Sequence, residues 1–250
     1  LFNHPNVGPF FARQMIQRLV TSNPSAAYVG RVAAIFANNG QGRRGDLAAV
    51  FKAILTDNEA LDPANVANPN VGKLREPVLR YVQLARTFGA RSNSGNWQVG
   101  DLSDPASALG QSPLRSPSVF NFFRPGYFPT NTEIANRGLL APEFQLVNET
   151  SVAGYVNFIE RAITGGRTPV ADITLDFSAE IAIAQDSAAL LDRLDLLLTG
   201  RQLSQSVRDI VRTAMEDVPL TASSTNADRL RRVQIGVALV LASTDYLIQK

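Results

Sequence analysis

Ser187–Gly200, SAALLDRLDLLLTG, decides the fold class, together with its two successors Ser204–Met215, SQSVRDIVRTAM, and Asn226–Ser243, NADRLRRVQIGVALVLAS. Each carries an apolar stripe at helical spacing, with arginine and aspartate on the opposite face. Gly200 stands where a C-terminal glycine ends a helix. Outward from these three, Val152–Ile163 predicts a further helix. Glu76–Phe88 predicts another, with Val78, Leu79, Val82, Leu84 and Phe88 as its apolar residues. In the first third, Phe11–Val20 is amphipathic and ends at Thr21-Ser22-Asn23-Pro24. Ser25 is a plausible N-cap for a helix through Tyr28, Val32 and Phe36, and Asp46 for one containing Leu47, Val50, Phe51, Ile54 and Leu55. Val170–Phe177 is the best strand candidate, though isolated. The expected architecture is all-α, a single helical domain over residues 1–250, with one long irregular excursion over residues 89–141.

The 250 residues are 45% hydrophobic and 18% charged, a globular composition able to bury a sizeable core. A formal net charge of +2 gives no bulk attraction to nucleic acid or anionic membrane. There are no cysteines, which removes disulfides, thiolate metal sites and cysteine nucleophiles. No apolar run reaches the roughly 20 residues that span a bilayer. Lys52, Lys73 and Lys250 are the only lysines, so nearly every cation is an arginine. The chain begins at Leu1 without a methionine, and is expected to be a processed or truncated product.

The excursion is richest at Leu109–Asn131, LGQSPLRSPSVFNFFRPGYFPTN, where five aromatic residues, four prolines and two arginines are packed together. Proline fixes φ and removes backbone donors, so the segment is neither one helix nor one strand. One reading is a structural lid, with Phe120, Phe122, Phe123, Tyr127 and Phe128 plugging a gap between helices. The other is a recognition surface, in which Arg115, Phe122, Phe123, Arg124 and Tyr127 bind a partner protein, sugars or another polymer. The lid is preferred, with function confined to its exposed rim.

Rival motifs are weaker. Gly40-Gln41-Gly42-Arg43-Arg44-Gly45 matches G-x-G-x-x-G, but the segment before it is helical, and a dinucleotide fingerprint needs a strand there. It reads as a helix–helix loop, at most an anion site formed by Arg43 and Arg44. Arg44-Gly45-Asp46 matches the integrin-binding tripeptide by chance. His4, the only histidine, lies in Asn3-His4-Pro5-Asn6 and is expected to cap the helix after Pro9 rather than serve a catalytic triad. Asp101, Asp104 and Glu143 are the carboxylates available for acid–base work, with helix caps and surface ion pairs as their default roles. The sequon Asn148-Glu149-Thr150 is expected to cap the next helix. No cofactor or metal is expected.

Seven stretches together resemble one bacterial family, the domain of unknown function 1800. They are His4–Val7, Arg13–Pro24, Asn38–Asp46, Leu74–Arg80, Leu109–Pro113, Pro117–Tyr127 and Ser243–Gln249. The resemblance runs from end to end and implies the C-terminal part of a longer, exported bacterial protein, periplasmic, cell-surface or extracellular. It implies no catalytic residues, since the family has none established. The sequence therefore leads to an exported accessory or binding protein for a partner protein or surface polymer. The alternative is a carboxylate-dependent hydrolase of an extracellular polymer, its site shared with a missing N-terminal half. A third reading is an anion-binding module using Arg43, Arg44, Arg115 and Arg124.

Overall fold

The structure, a computed structural model, describes residues 1–166 and 169–250. It is 52% helical and only 3% strand, so the fold is all-α. The chain divides into two compact units. The first comprises Leu1–Leu74, Phe123–Gln145 and Gln249–Lys250; the second comprises Arg75–Phe122 and Leu146–Ile248. The division falls inside the aromatic excursion, between Phe122 and Phe123.

In the first unit, α1 (Val7–Leu19), α2 (Ala26–Ala37) and α3 (Leu47–Leu55) pack around Ile16, Tyr28, Val32, Phe36, Val50 and Ile54. The expected caps form. Ser25 Oγ accepts from Tyr28 N, and Asp46 accepts from Ala49 N. Helix α1 starts at Val7, earlier than its periodicity indicates. Pro9 fits there because the first turn of a helix leaves its N–H groups unbonded anyway. His4 accordingly caps nothing beyond Pro9; its Nδ1 accepts from Asn6 N, 3.2 Å away, in the turn before the helix.

The second unit is built on α4 (Pro77–Thr87), α5 (Glu149–Thr164), α6 (Ser187–Thr199), α7 (Gln205–Glu216) and α8 (Asn226–Ala242). Leu190, Leu194 and Leu198 of α6, Val211 and Met215 of α7 and Val233, Val237 and Leu241 of α8 share one core. Asn148 forms a capping box with Ser151 at the start of α5, as the sequon reading anticipated. Gly200 ends α6 in a left-handed conformation, φ 68°. The proposed strand at Val170–Phe177 shrinks to β2 (Ile173–Thr174), which pairs antiparallel with β1 (Arg91–Ser92). Val170 and Phe177, on either side of it, are buried outside any strand. Among the described residues no helix is long and apolar enough to cross a membrane.

Candidate functional site

In the second unit, residues 93–122 contain no regular secondary structure, yet they are tied down at several points. The Asp172 carboxylate accepts from Ser92 Oγ (2.6 Å), Ser94 N (2.7 Å) and Gln98 N (2.9 Å). These bonds, the Ser92 hydroxyl first, hold its pKa down at about 2. Gly100 N donates to Pro169 O, and Leu102 O accepts from both Leu109 N and Gln111 N. Gln111 then spans the start of α4: its Oε1 accepts from Val78 N while its Nε2 donates to Glu76 Oε2. One orphan amide of the helix is thereby satisfied, and the base of the following segment is fixed.

From that base, residues 112–122 run out as a strap. Leu114 (φ 62°) and Asn121 (φ 67°) are left-handed. Asparagine tolerates this; for leucine it costs on the order of 1–2 kcal/mol. The strap exposes apolar side chains instead of hiding them, with Leu114 fully exposed, Val119 95% and Phe120 66%. Between α4 and the strap's base lies a groove of about 610 Å³, lined by Val78, Tyr81 and Val82 on one side and Val99–Leu102, Ser112, Pro113 and Arg115 on the other. Tyr81 packs edge-on against Phe158, and burial pushes its phenol up to about 12.

The other half of the excursion belongs to the first unit and is more conventional. Phe123 is buried, with the Arg18 guanidinium 4.2 Å above its ring. Arg124 N donates to Gln145 Oε1, Tyr127 O accepts from Ala141 N, and the Asn23 amide bonds both N and O of Leu140. Lys73 and Glu143, both essentially buried, form an ion pair at 3.2 Å, and Lys73 Nζ also donates to Arg18 O. Glu143 Oε2 and Gln17 Oε1 are left without hydrogen-bond partners among the described residues, and both residues line a cavity of about 10 Å³.

The residues expected to bind are thus dispersed in character. Arg115 is exposed and ion-paired with Asp101, and Phe122 and Tyr127 are half-buried. Arg124 is exposed, and Phe123 is core. Arg115 and Phe122 fall in one unit, Phe123, Arg124 and Tyr127 in the other. The lid reading needs correction: of its five aromatics only Phe123 is buried, because the strap leads Phe120 away from its unit's core. Leu114 and Val119, which the sequence reading passed over in favour of the aromatics, are the most exposed apolar groups of the segment. The signal available for them was their place between Pro113 and Pro117 (Leu114) and two residues beyond Pro117 (Val119), where the chain has no element to pack them.

The acidic candidates have local duties. Asp101 accepts from Ser103 N, and its carboxyl is held below the usual range by Ser103 first, with Arg115 contributing. Asp104 is lowered by Ser107 and the Ala106 amide. Glu143 is committed to Lys73. A general acid needs a raised pKa, and Asp101 and Asp104 are shifted the other way. The Gly40–Gly45 loop is likewise occupied by its own side chains. Asn38 Oδ1 accepts from Gly40 N and Gly42 N, and Asn39 Oδ1 from Gln41 N and Arg43 N. Arg44 donates to Phe2 O and His4 O. The amides that would cradle an anion are therefore already bonded. The same bonds, with Asp46 as an N-cap, tie the Arg44-Gly45-Asp46 tripeptide into the loop. Among the described residues no three His, Cys, Asp or Glu side chains converge as a metal site.

This is an all-α protein that displays an ordered apolar strap beside a groove. The chain belongs to the family described as protein of unknown function (DUF1800), whose model matches residues 1–248. Neither the curated proteins nor the solved structures contain a match to it.

Proposed function

We propose that the chain is an exported bacterial accessory protein that binds a partner protein or surface polymer through the strap at residues 112–122. Arg115 and Phe122 form its near rim. One observation carries this reading. Leu114, Val119 and Phe120 are held exposed on a segment whose base is pinned through Gln111 and whose backbone bears left-handed strain. A chain gains nothing in folding by ordering apolar side chains in water, whereas a partner that covers them recovers roughly 25 cal/mol per Å². The default duties of Asp101, Asp104 and Glu143 further favour binding over hydrolysis.

The test is capture from bacterial envelope extract by the chain and by a Leu114→Ser/Val119→Ser/Phe120→Ser variant. The reading requires a partner retained by the first and lost by the second, with unchanged circular dichroism. Equal retention by both sinks it.

A further inference from the structure

The small cavity of the first unit brings two buried acceptors together with no donor for either. It lies between Gln14, Gln17 and Arg18 of α1 on one side and Phe123, Pro125 and Glu143 on the other. Gln17 is 5% exposed and Glu143 1%. The other polar atoms of these two side chains are committed. Gln17 Nε2 donates to Ser22 O at 3.0 Å and to Pro125 O at 3.5 Å. The amide therefore cannot be turned round, since its oxygen would then face two carbonyls. Glu143 Oε1 takes the Lys73 ammonium, 3.2 Å away. Gln17 Oε1 and Glu143 Oε2 remain, both out of reach of solvent and neither hydrogen-bonded among the described residues. A buried acceptor left unmatched is costly, and a charged one more so.

Three species could serve the pair. A proton on Glu143 would give Oε2 something to donate, but it would leave the buried Lys73 ammonium without its counter-charge. A hard metal cation takes six or more oxygen ligands, and here it would find two, beside an ammonium and a guanidinium. A water brings two O–H donors to two acceptors. It can also accept from the N–H groups of Gln14 or Arg18 in the same lining. The volume fits as well, since about 10 Å³ is the least that admits a single water.

We infer that the cavity is a binding site for one ordered water, which donates to Gln17 Oε1 and Glu143 Oε2. The water completes a buried chain of contacts from Lys73 through Glu143 to Gln17, which runs on through Gln17 Nε2 to Ser22 O and Pro125 O. Phe123, 2% exposed, and Pro125 form its apolar side. The water is thus part of what seats Glu143 and residues 123–125 on α1.

Oxygen-17 relaxation dispersion, which counts long-lived internal waters, tests this together with a crystal structure of the parent chain. Gln17→Met removes one acceptor and Lys73→Met/Glu143→Leu the other. Each variant is expected to lose one long-lived water, and all three substitutions combined lose that same one and not two. The crystal is expected to show a density peak about 2.7–3.0 Å from both oxygens. A water count unchanged in both variants overturns the inference, as do losses that add in the combination. So does a crystal without the peak, or one in which Glu143 Oε2 and Gln17 Oε1 bond each other directly, as a protonated Glu143 would. A peak ringed by several oxygens at about 2.3–2.6 Å is a cation and overturns it too. If circular dichroism shows that a variant does not fold, the parent crystal alone decides.

Discussion

Gly154, in α5, sets two effects of opposite sign against each other. A glycine inside a helix costs about 0.5–1 kcal/mol relative to alanine, so Gly154→Ala on an isolated helix is stabilising by that amount. In the folded chain a Cβ at residue 154 falls 2.0 Å from the carbonyl oxygen of Pro105 and 3.0 Å from both C and O of Ala106. These are backbone atoms, so no rotamer relieves the overlap. An ordinary C···O approach is about 3.3 Å, which requires the Pro105–Ala106 segment to retreat by about 1.3 Å. That segment is tied by Ala106 N to Asp104 Oδ1, by Ala108 N to Asp104 O and by the Arg161 guanidinium to Ser107 O. Overpacking of this kind costs about 1–3 kcal/mol, and each strained hydrogen bond about 1 more. After the helical gain is subtracted, Gly154→Ala destabilises by roughly 1–3 kcal/mol.

Gly30, exposed in α2 with no atom within 4 Å of its would-be Cβ, is the control. The same substitution there stabilises by about 0.5–1 kcal/mol. Gly236 in α8 is intermediate. Its nearest obstacles are the side-chain ends Met215 Sδ at 2.7 Å and Leu194 Cδ1 at 2.9 Å, which can turn aside. Urea midpoints at constant m-value give the signs, and amide exchange followed separately in α2 and α5 assigns each change to its own unit. If Gly154→Ala raises stability as Gly30→Ala does, the loop is not seated on α5, and the description of the strap's base fails with it.

Lys73→Met leaves the Glu143 carboxylate buried without its cation and destabilises by about 3–5 kcal/mol, whereas Lys73→Met/Glu143→Leu recovers most of that loss. Equal chemical-denaturation midpoints for the single and double variants would contradict a buried pair. Asp172, with its pKa depressed to about 2, stabilises the fold above the ordinary carboxylate pKa near 3.9, and that stability is lost as pH falls from there through about 2. Asp172→Asn therefore lowers stability at neutral pH and flattens the pH dependence between about 4 and 2, read by thermal melts across that range. A parent whose stability is level through this window refutes the Asp172 network.

The helices were legible because their signals are local. Ser25, Asp46 and Asn148 each accept from the amide three residues ahead, and Gly200 takes the backbone angle that only a residue without Cβ adopts freely. Strand β2 was overestimated because β-branched residues at Val170–Phe177 reflect burial as much as pairing. The partner that fixes its length, Arg91–Ser92, lies some 80 positions away. Which segments share each of the two cores is set by contacts just as distant in sequence. Nothing local says that residues 123–145 pack with Lys73 and α1, or that residues 75–122 pack with α5 to α8.

The aromatic excursion shows where such reading runs out. Phe120, Phe122 and Phe123 lie within four residues and have the same chemistry, yet one is exposed, one half-buried and one enclosed. What separates them is the Arg18 guanidinium over Phe123, which arrives from more than 100 positions upstream, and the left-handed turns at Leu114 and Asn121 that carry Phe120 outward. The carboxylates were more readable than they were taken to be. In Asp101-Leu102-Ser103 and Asp104-Pro105-Ala106-Ser107, a serine follows the aspartate by two or three residues, the spacing at which an aspartate takes up nearby backbone amides in a turn. Those turns lower the pKa of Asp101 and Asp104, and the same bonds shape the floor and base of the groove. Acidity suited to hydrolysis and rigidity suited to holding the strap open make opposite demands on these two residues, and the geometry meets the second.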